Sequence, residues 1–115
     1  MRPLLAAAAL LGLASVAFGA FAAHGIADPK AQDWLRTGAL YGFVHVLATF
    51  AAERFGARLA QGFFLAGVTI FAGSLWAMAL GAPTVLGAVT PVGGLSLMVG
   101  WALLAWRVVK SKPQP

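Results

Sequence analysis

An all-α membrane protein is the fold this sequence predicts: a bundle of four transmembrane helices running up-down-up-down, with N and C termini cytoplasmic. Three observations predict it. Hydrophobic residues make up 61% of the 115-residue chain and charged residues only 10%, a balance far from that of a soluble domain. The apolar residues fall into four runs, each close to the ~20 residues that a helix rising about 1.5 Å per residue needs to cross a hydrocarbon core of about 30 Å. Basic residues then gather at alternate ends of the runs. Arg2, Arg54, Arg58, Arg107, Lys110 and Lys112 fall on one side, whereas Lys30 and Arg36 on the other are offset by Asp28 and Asp33. The positive-inside rule makes the first side cytoplasmic. Trp34 at the outer boundary, with Trp101 and Trp106 toward the inner end of the last run, fits an interfacial aromatic belt. The expectation is one membrane domain over residues 1–115, with spans at about 3–24, 29–53, 57–80 and 91–109 and a short polar tail at 111–115.

Each helix is bounded by recognisable chemistry. The first follows Arg2 and ends at His24, with Gly25 expected in the left-handed conformation that closes a last turn. Its apolar run is about 21 residues, longer than the roughly 7–15 of a secretory signal, so a retained helix is expected. The second opens at Asp28-Pro29, a side-chain acceptor followed by a residue already set to helical φ. It carries Lys30, Asp33, Trp34 and Arg36 on its outer turns and ends at Glu53-Arg54 with Gly56 beyond. The third closes near Gly81, ahead of Pro83, and the fourth opens at Thr90-Pro91, with Thr90 read as the cap. Short connections make successive helices antiparallel neighbours.

Fourteen glycines would break soluble helices, but in lipid they let backbones approach closely. Gly19, Gly73, Gly93, Gly94 and Gly100 are the candidate packing residues, of which Gly19, Gly73 and Gly100 lie on the four-residue stripes Ser15-Gly19-Ala23, Gly73-Ala77-Gly81 and Ser96-Gly100. Such stripes serve either contacts within one protomer or a face for a homo-oligomer or another membrane protein.

His45 carries the strongest chemical signal. It lies about ten residues into the second apolar run, hence roughly 15 Å deep, where an ionisable group is costly and marks a functional site by default. Tyr41 is one turn further out on the same face. With Ser74 and Thr90 from the outer halves of the third and fourth helices, these residues are expected to line an outward-facing polar cavity that binds or relays something small. The structural alternative is a neutral His45 that satisfies itself on a hydroxyl or backbone carbonyl. His24 and Asp28 form an outer-interface polar pair, in which a histidine in a last helical turn also complements the helix dipole.

Other chemistries find no residues. The chain has no cysteine, which removes thiolate catalysis and disulfides. His24 and His45 sit at different depths without further ligands, so no metal is expected. The glycines lack phosphate-loop spacing, and Ser15, Ser74 and Ser96 lack a carboxylate-oriented histidine. No cofactor and no enzymatic activity are expected. Nor is nucleic acid a partner, because the cations stand at the ends of apolar spans and form no basic face.

Several segments together resemble a known family. Gly19-Ala20-Phe21-Ala22-Ala23-His24-Gly25, Tyr41 four residues before His45, Phe71-Ala72-Gly73-Ser74-Leu75, Thr90-Pro91-Val92-Gly93-Gly94 and Gly100-Trp101 are similar to the YgdD-like family of small bacterial inner-membrane proteins. Ala22 stands where that pattern usually has glycine. The resemblance implies four helices, a multi-pass location in a bacterial inner membrane and no known reaction; that family also has a eukaryotic transmembrane relative. With the lipid bilayer as its partner, the expected protein is a non-enzymatic structural or accessory one that associates laterally. The alternative is a small transporter or channel for protons, ions or a small solute that uses His45.

Overall fold

The computed structural model describes residues 2–112, and among them the chain is helical throughout, without strands. The last three residues of the polar tail lie outside the described residues. Helix α1 is Pro3–His24, α2 is Pro29–Glu53, α3 is Arg58–Ala79 and α4 is Thr90–Lys110, with a short 3-10 helix at Thr84–Ala88 leading into α4. Three of these, α1, α3 and the 3-10 helix continued by α4, are long and apolar enough to cross a membrane. The remaining helix, α2, is the more polar one, and it is flanked by α1 and α3.

Neighbouring helices run antiparallel. On α1 and α2, Gly12 faces Val46 and Gly19 faces Ala39. On α2 and α3, Thr49 meets Gln61 while Leu35 meets Trp76. On α3 and α4, Phe63 meets Ser96 while Ser74 meets Thr90. Helix α3 is the centre of the bundle, packed along its length on both α2 and α4 and touching α1 more lightly.

The interior is built from small residues against a few large ones. Ser15 is fully buried on α1, bonds back to Leu11 O at 2.8 Å and occupies the space where Gly42 has no side chain. The Trp76 ring enters beside Gly38, stacks on Phe18 at 4.5 Å and donates its N–H to Leu35 O at 3.3 Å. This joins α1, α2 and α3 at one point. The tightest approach is between α3 and α4, where a Cβ on Gly93 would lie 2.5 Å from the Phe71 amide nitrogen. Gly100 makes room in the same way for the Phe64 ring. Large apolar side chains such as Leu10, Leu13, Leu47, Leu95, Met98 and Val109 point outward. A surface of that kind is suited to lipid and not to water.

Some helix ends differ from the expectation. Gly25 adopts φ −111°, an ordinary right-handed conformation, and the Phe21 ring lies where its Cβ would be. Left-handed backbone occurs instead at Gly56 and Gly81, with φ of 62° and 108°. Thr90 is not an N-cap, since the 3-10 helix carries helical backbone directly into α4 and Val89 precedes the first residue with φ −84°. The Asp28 cap does form, accepting from the Ala31 amide at 3.3 Å.

Candidate functional site

His45 is 5% exposed and lies between α2, α3 and α4. Its Nδ1 is 2.7 Å from Tyr41 O, the carbonyl one turn earlier. Its Nε2 is 2.9 Å from the indole nitrogen of Trp101. These two partners define the proton positions. A carbonyl can only accept, so Nδ1 carries the hydrogen; an indole N–H can only donate, so Nε2 is bare. The ring is therefore a neutral imidazole with both nitrogens in use. Phe64 packs against both rings, with centroids 5.7 Å from His45 and 5.2 Å from Trp101.

A second buried polar contact lies one turn along α2 toward the basic end. The Thr49 hydroxyl donates to His45 O at 2.7 Å, and Gln61, 1% exposed, donates to Thr49 O at 2.9 Å. Helix α3 is thereby hydrogen-bonded to the backbone of α2 on the same side of the bundle as His45.

Ser74 and Thr90 form a separate pair. Their hydroxyls are 2.5 Å apart, and they bond onward to Phe71 O and Leu86 O. In the α2–α3 register set by Leu35 and Trp76, Ser74 stands near residue 37 of α2, two turns or roughly 12 Å from His45 along the axis. Tyr41 does not bridge the two pairs. Its ring lies against Phe71 at 4.6 Å and parallel to the His45 ring at 6.0 Å, is 42% exposed, and gives His45 no hydrogen bond beyond that of the backbone carbonyl. The recess beside His45, about 170 Å³ lined by Leu40, Tyr41, Val44 and His45, includes neither Ser74 nor Thr90.

Where α1 ends and α2 begins, His24 is exposed on the last turn of α1, and Asp28 is occupied as the cap of α2. The candidate packing glycines divide. Gly93 and Gly100 are at the α3–α4 contact, while a Cβ on Gly94 would stand 3.8 Å from the Phe71 ring and one on Gly19 3.6 Å from the Ala39 methyl. Gly73 has no neighbour within 4 Å of the position of a Cβ. It therefore makes no close contact inside the protomer.

Sequence reasoning missed Trp101 and Gln61 as partners of the His45 region. Trp101 was assigned to the aromatic belt, yet its N–H points inward to a histidine while the ring remains 44% exposed. Its signal is chemical: an indole N–H within a spanning helix needs an acceptor. Few side chains in the apolar spans offer one.

Comparisons with known proteins point to one family of membrane proteins. The model of the protein of unknown function family DUF423 matches residues 18–94. A UPF0382 membrane protein of Haemophilus influenzae is 40% identical over 113 residues, covering 90% of this chain and 91% of its own. The UPF0382 inner membrane protein YgdD of Escherichia coli K12 is 36% identical, covering 96% and 92%. A UPF0382 membrane protein of the fission yeast Schizosaccharomyces pombe is 33% identical, covering 84% and 93%. No solved structure matches the chain. Three membrane-capable helices, an apolar exterior and relatives named for the inner membrane make it a multi-pass inner-membrane protein. The chain belongs to the DUF423/UPF0382 family of membrane proteins, whose function is unknown.

Proposed function

We propose that this protein is a non-enzymatic accessory protein of the inner membrane that acts by lateral association, crossing the bilayer four times with both termini in the cytoplasm. The observation that carries the reading is an uncovered face on α3. Gly62 and Gly73 would each meet nothing within 4 Å if they bore a Cβ, and between them Ala66 and Thr69 are exposed. These positions fall on one side of the helix at its 3.6-residue period. Membrane helices associate through small residues that let backbones approach, because lipid supplies no hydrophobic drive. The most centrally packed helix thus keeps a small-residue seam free for a second copy or another membrane helix.

Four crossings are supported by α2 lying antiparallel along both α1 and α3. The cytoplasmic assignment of the termini is supported by the clustering of Arg2 with Glu53, at 4.0 Å, and of Arg107 with Phe55 O, at 3.1 Å, at the end that carries most of the cations. The transport alternative draws on His45 and the recess beside it. That recess is almost wholly apolar and is bounded by exposed Leu40 and Val44, and both nitrogens of His45 are engaged.

The test is the mass of the purified protein in a mild detergent. Wild type is expected to run as an oligomer or with a co-purifying membrane partner, and Gly73→Leu as a monomer of unchanged thermal stability. A wild type that is monomeric and without a partner at every concentration would sink the reading.

A further inference from the structure

We infer that the basic end of the bundle holds a binding site for one anionic phospholipid, between the first turn of α3 and the last turns of α4. A cleft of about 430 Å³ opens there, with Arg58, Trp106 and Arg107 at its rim and Leu59, Ala60 and Leu103 along its wall. A second recess of about 280 Å³ adjoins it through Trp106 and Arg107 and adds Phe55 and Lys110. Among the described residues no carboxylate lines either one.

The side chains are held in place without being used up. One Arg107 Nη donates to Phe55 O at 3.1 Å, across the turn that Gly56 makes with φ 62°. This anchors the guanidinium and leaves its remaining donors free. The Lys110 ammonium sits 4.5 Å from the centroid of the Trp106 ring, which is itself 60% exposed. Arg58 is exposed and lines the same cleft from the first turn of α3.

The arrangement fits a phospholipid better than a free anion. Two guanidinium groups match a phosphodiester through paired N–H donors. An indole lies at headgroup level, where aromatic side chains prefer to sit. The wall below the cations is apolar and belongs to two helices that are long and apolar enough to cross the membrane, so an acyl chain has a continuous surface to follow. A free phosphate would use the cations and leave that wall uncovered.

The experiment is native mass spectrometry of the full-length protein in a nonionic detergent, with phosphatidylglycerol or phosphatidylcholine of identical acyl chains, or with inorganic phosphate. Each juxtamembrane cation attracts anionic lipid by about fivefold. For the Arg58 and Arg107 guanidinium groups together, one phosphatidylglycerol per protomer is therefore expected to be retained about thirtyfold better than phosphatidylcholine, before any contribution from Lys110. Arg58→Gln with Arg107→Gln should remove that thirtyfold. Arg58→Lys with Arg107→Lys should keep most of it, which separates loss of charge from loss of fold. Arg2→Gln with Lys112→Gln, equal in charge and outside the cleft, should leave it unchanged. Equal retention of both lipids by wild type would overturn the proposal. So would equal loss in the two glutamine double variants, or inorganic phosphate binding with the same stoichiometry and the same sensitivity to Arg58 and Arg107.

Discussion

The Trp101 indole donates to His45 Nε2 at 2.9 Å, across the gap between α4 and α2. With Nδ1 of the same ring directed at Tyr41 O, the bond commits His45 to a single neutral tautomer. A histidine that relays protons must exchange one nitrogen with water or with another titratable group. Here each nitrogen faces a partner that cannot take part, a backbone carbonyl on one side and an indole N–H on the other. The residue that looked most like a site in sequence therefore resembles, in its geometry, a polar clamp between helices.

That clamp is testable by stability. Trp101→Phe retains an aromatic ring against Phe64 but removes the N–H, leaving a buried acceptor without a partner. The expected cost is about 1–3 kcal/mol, read as unfolding in a fixed detergent. His45→Phe combined with Trp101→Phe should recover part of that loss, because no unsatisfied atom then remains. If Trp101→Phe unfolds like wild type, water reaches Nε2 and the transport reading gains.

A second prediction separates glycines that look alike in sequence. Gly93→Ala places a methyl group against the backbone of Phe71, 2.5 Å from its nitrogen, and rigid backbone cannot yield as a side-chain tip can. Separation of α3 from α4 is expected to destabilise the bundle by about 1–3 kcal/mol. Gly73→Ala meets nothing and should be neutral or stabilising by up to about 1 kcal/mol, the gain of alanine over glycine within a helix. Thermal unfolding of the two variants side by side, at a protein-to-detergent ratio low enough to keep protomers apart, checks both values.

The contrast between those glycines shows where sequence stops being informative. Helix ends were legible because their chemistry is local: Asp28 caps the amide three residues on, and Gly56 and Gly81 stand where the chain turns. Packing was less so. A membrane helix is apolar all round, so its sequence carries little moment to say which side faces in, and Gly73 and Gly93 read alike as packing residues. The buried face of α1 is Ala8, Ser15 and Ala22, a seven-residue spacing that a four-residue stripe through Gly19 and Ala23 does not describe. Long-range polar pairing was the least legible. Trp101 is 56 residues from His45, and only the antiparallel register of α2, α3 and α4 brings the two to one level. Gln61 reads as a polar residue at a helix start, yet alanines at 57 and 60 and the Gly56 turn bring it close enough to α2 to be buried.

The last prediction concerns α2, the most polar of the four long helices and the one outside the three that are long and apolar enough to cross a membrane. Since the chain has no cysteine, single cysteines at His24 and Lys110 report topology through membrane-impermeant thiol reagents added to each side. Four crossings put the end of α1 and the end of α4 on opposite sides, so position 24 should label only from outside and position 110 only from the cytoplasm. If α2 does not cross, three crossings remain and both positions label from the same side. Reversed labelling keeps four crossings but inverts the orientation. A cysteine at His45 in the same series should stay unlabelled, because the side chain there is buried and the adjoining recess is apolar. Labelling at 45 from outside would mean a water-filled path into the span, which the lateral-association reading does not contain.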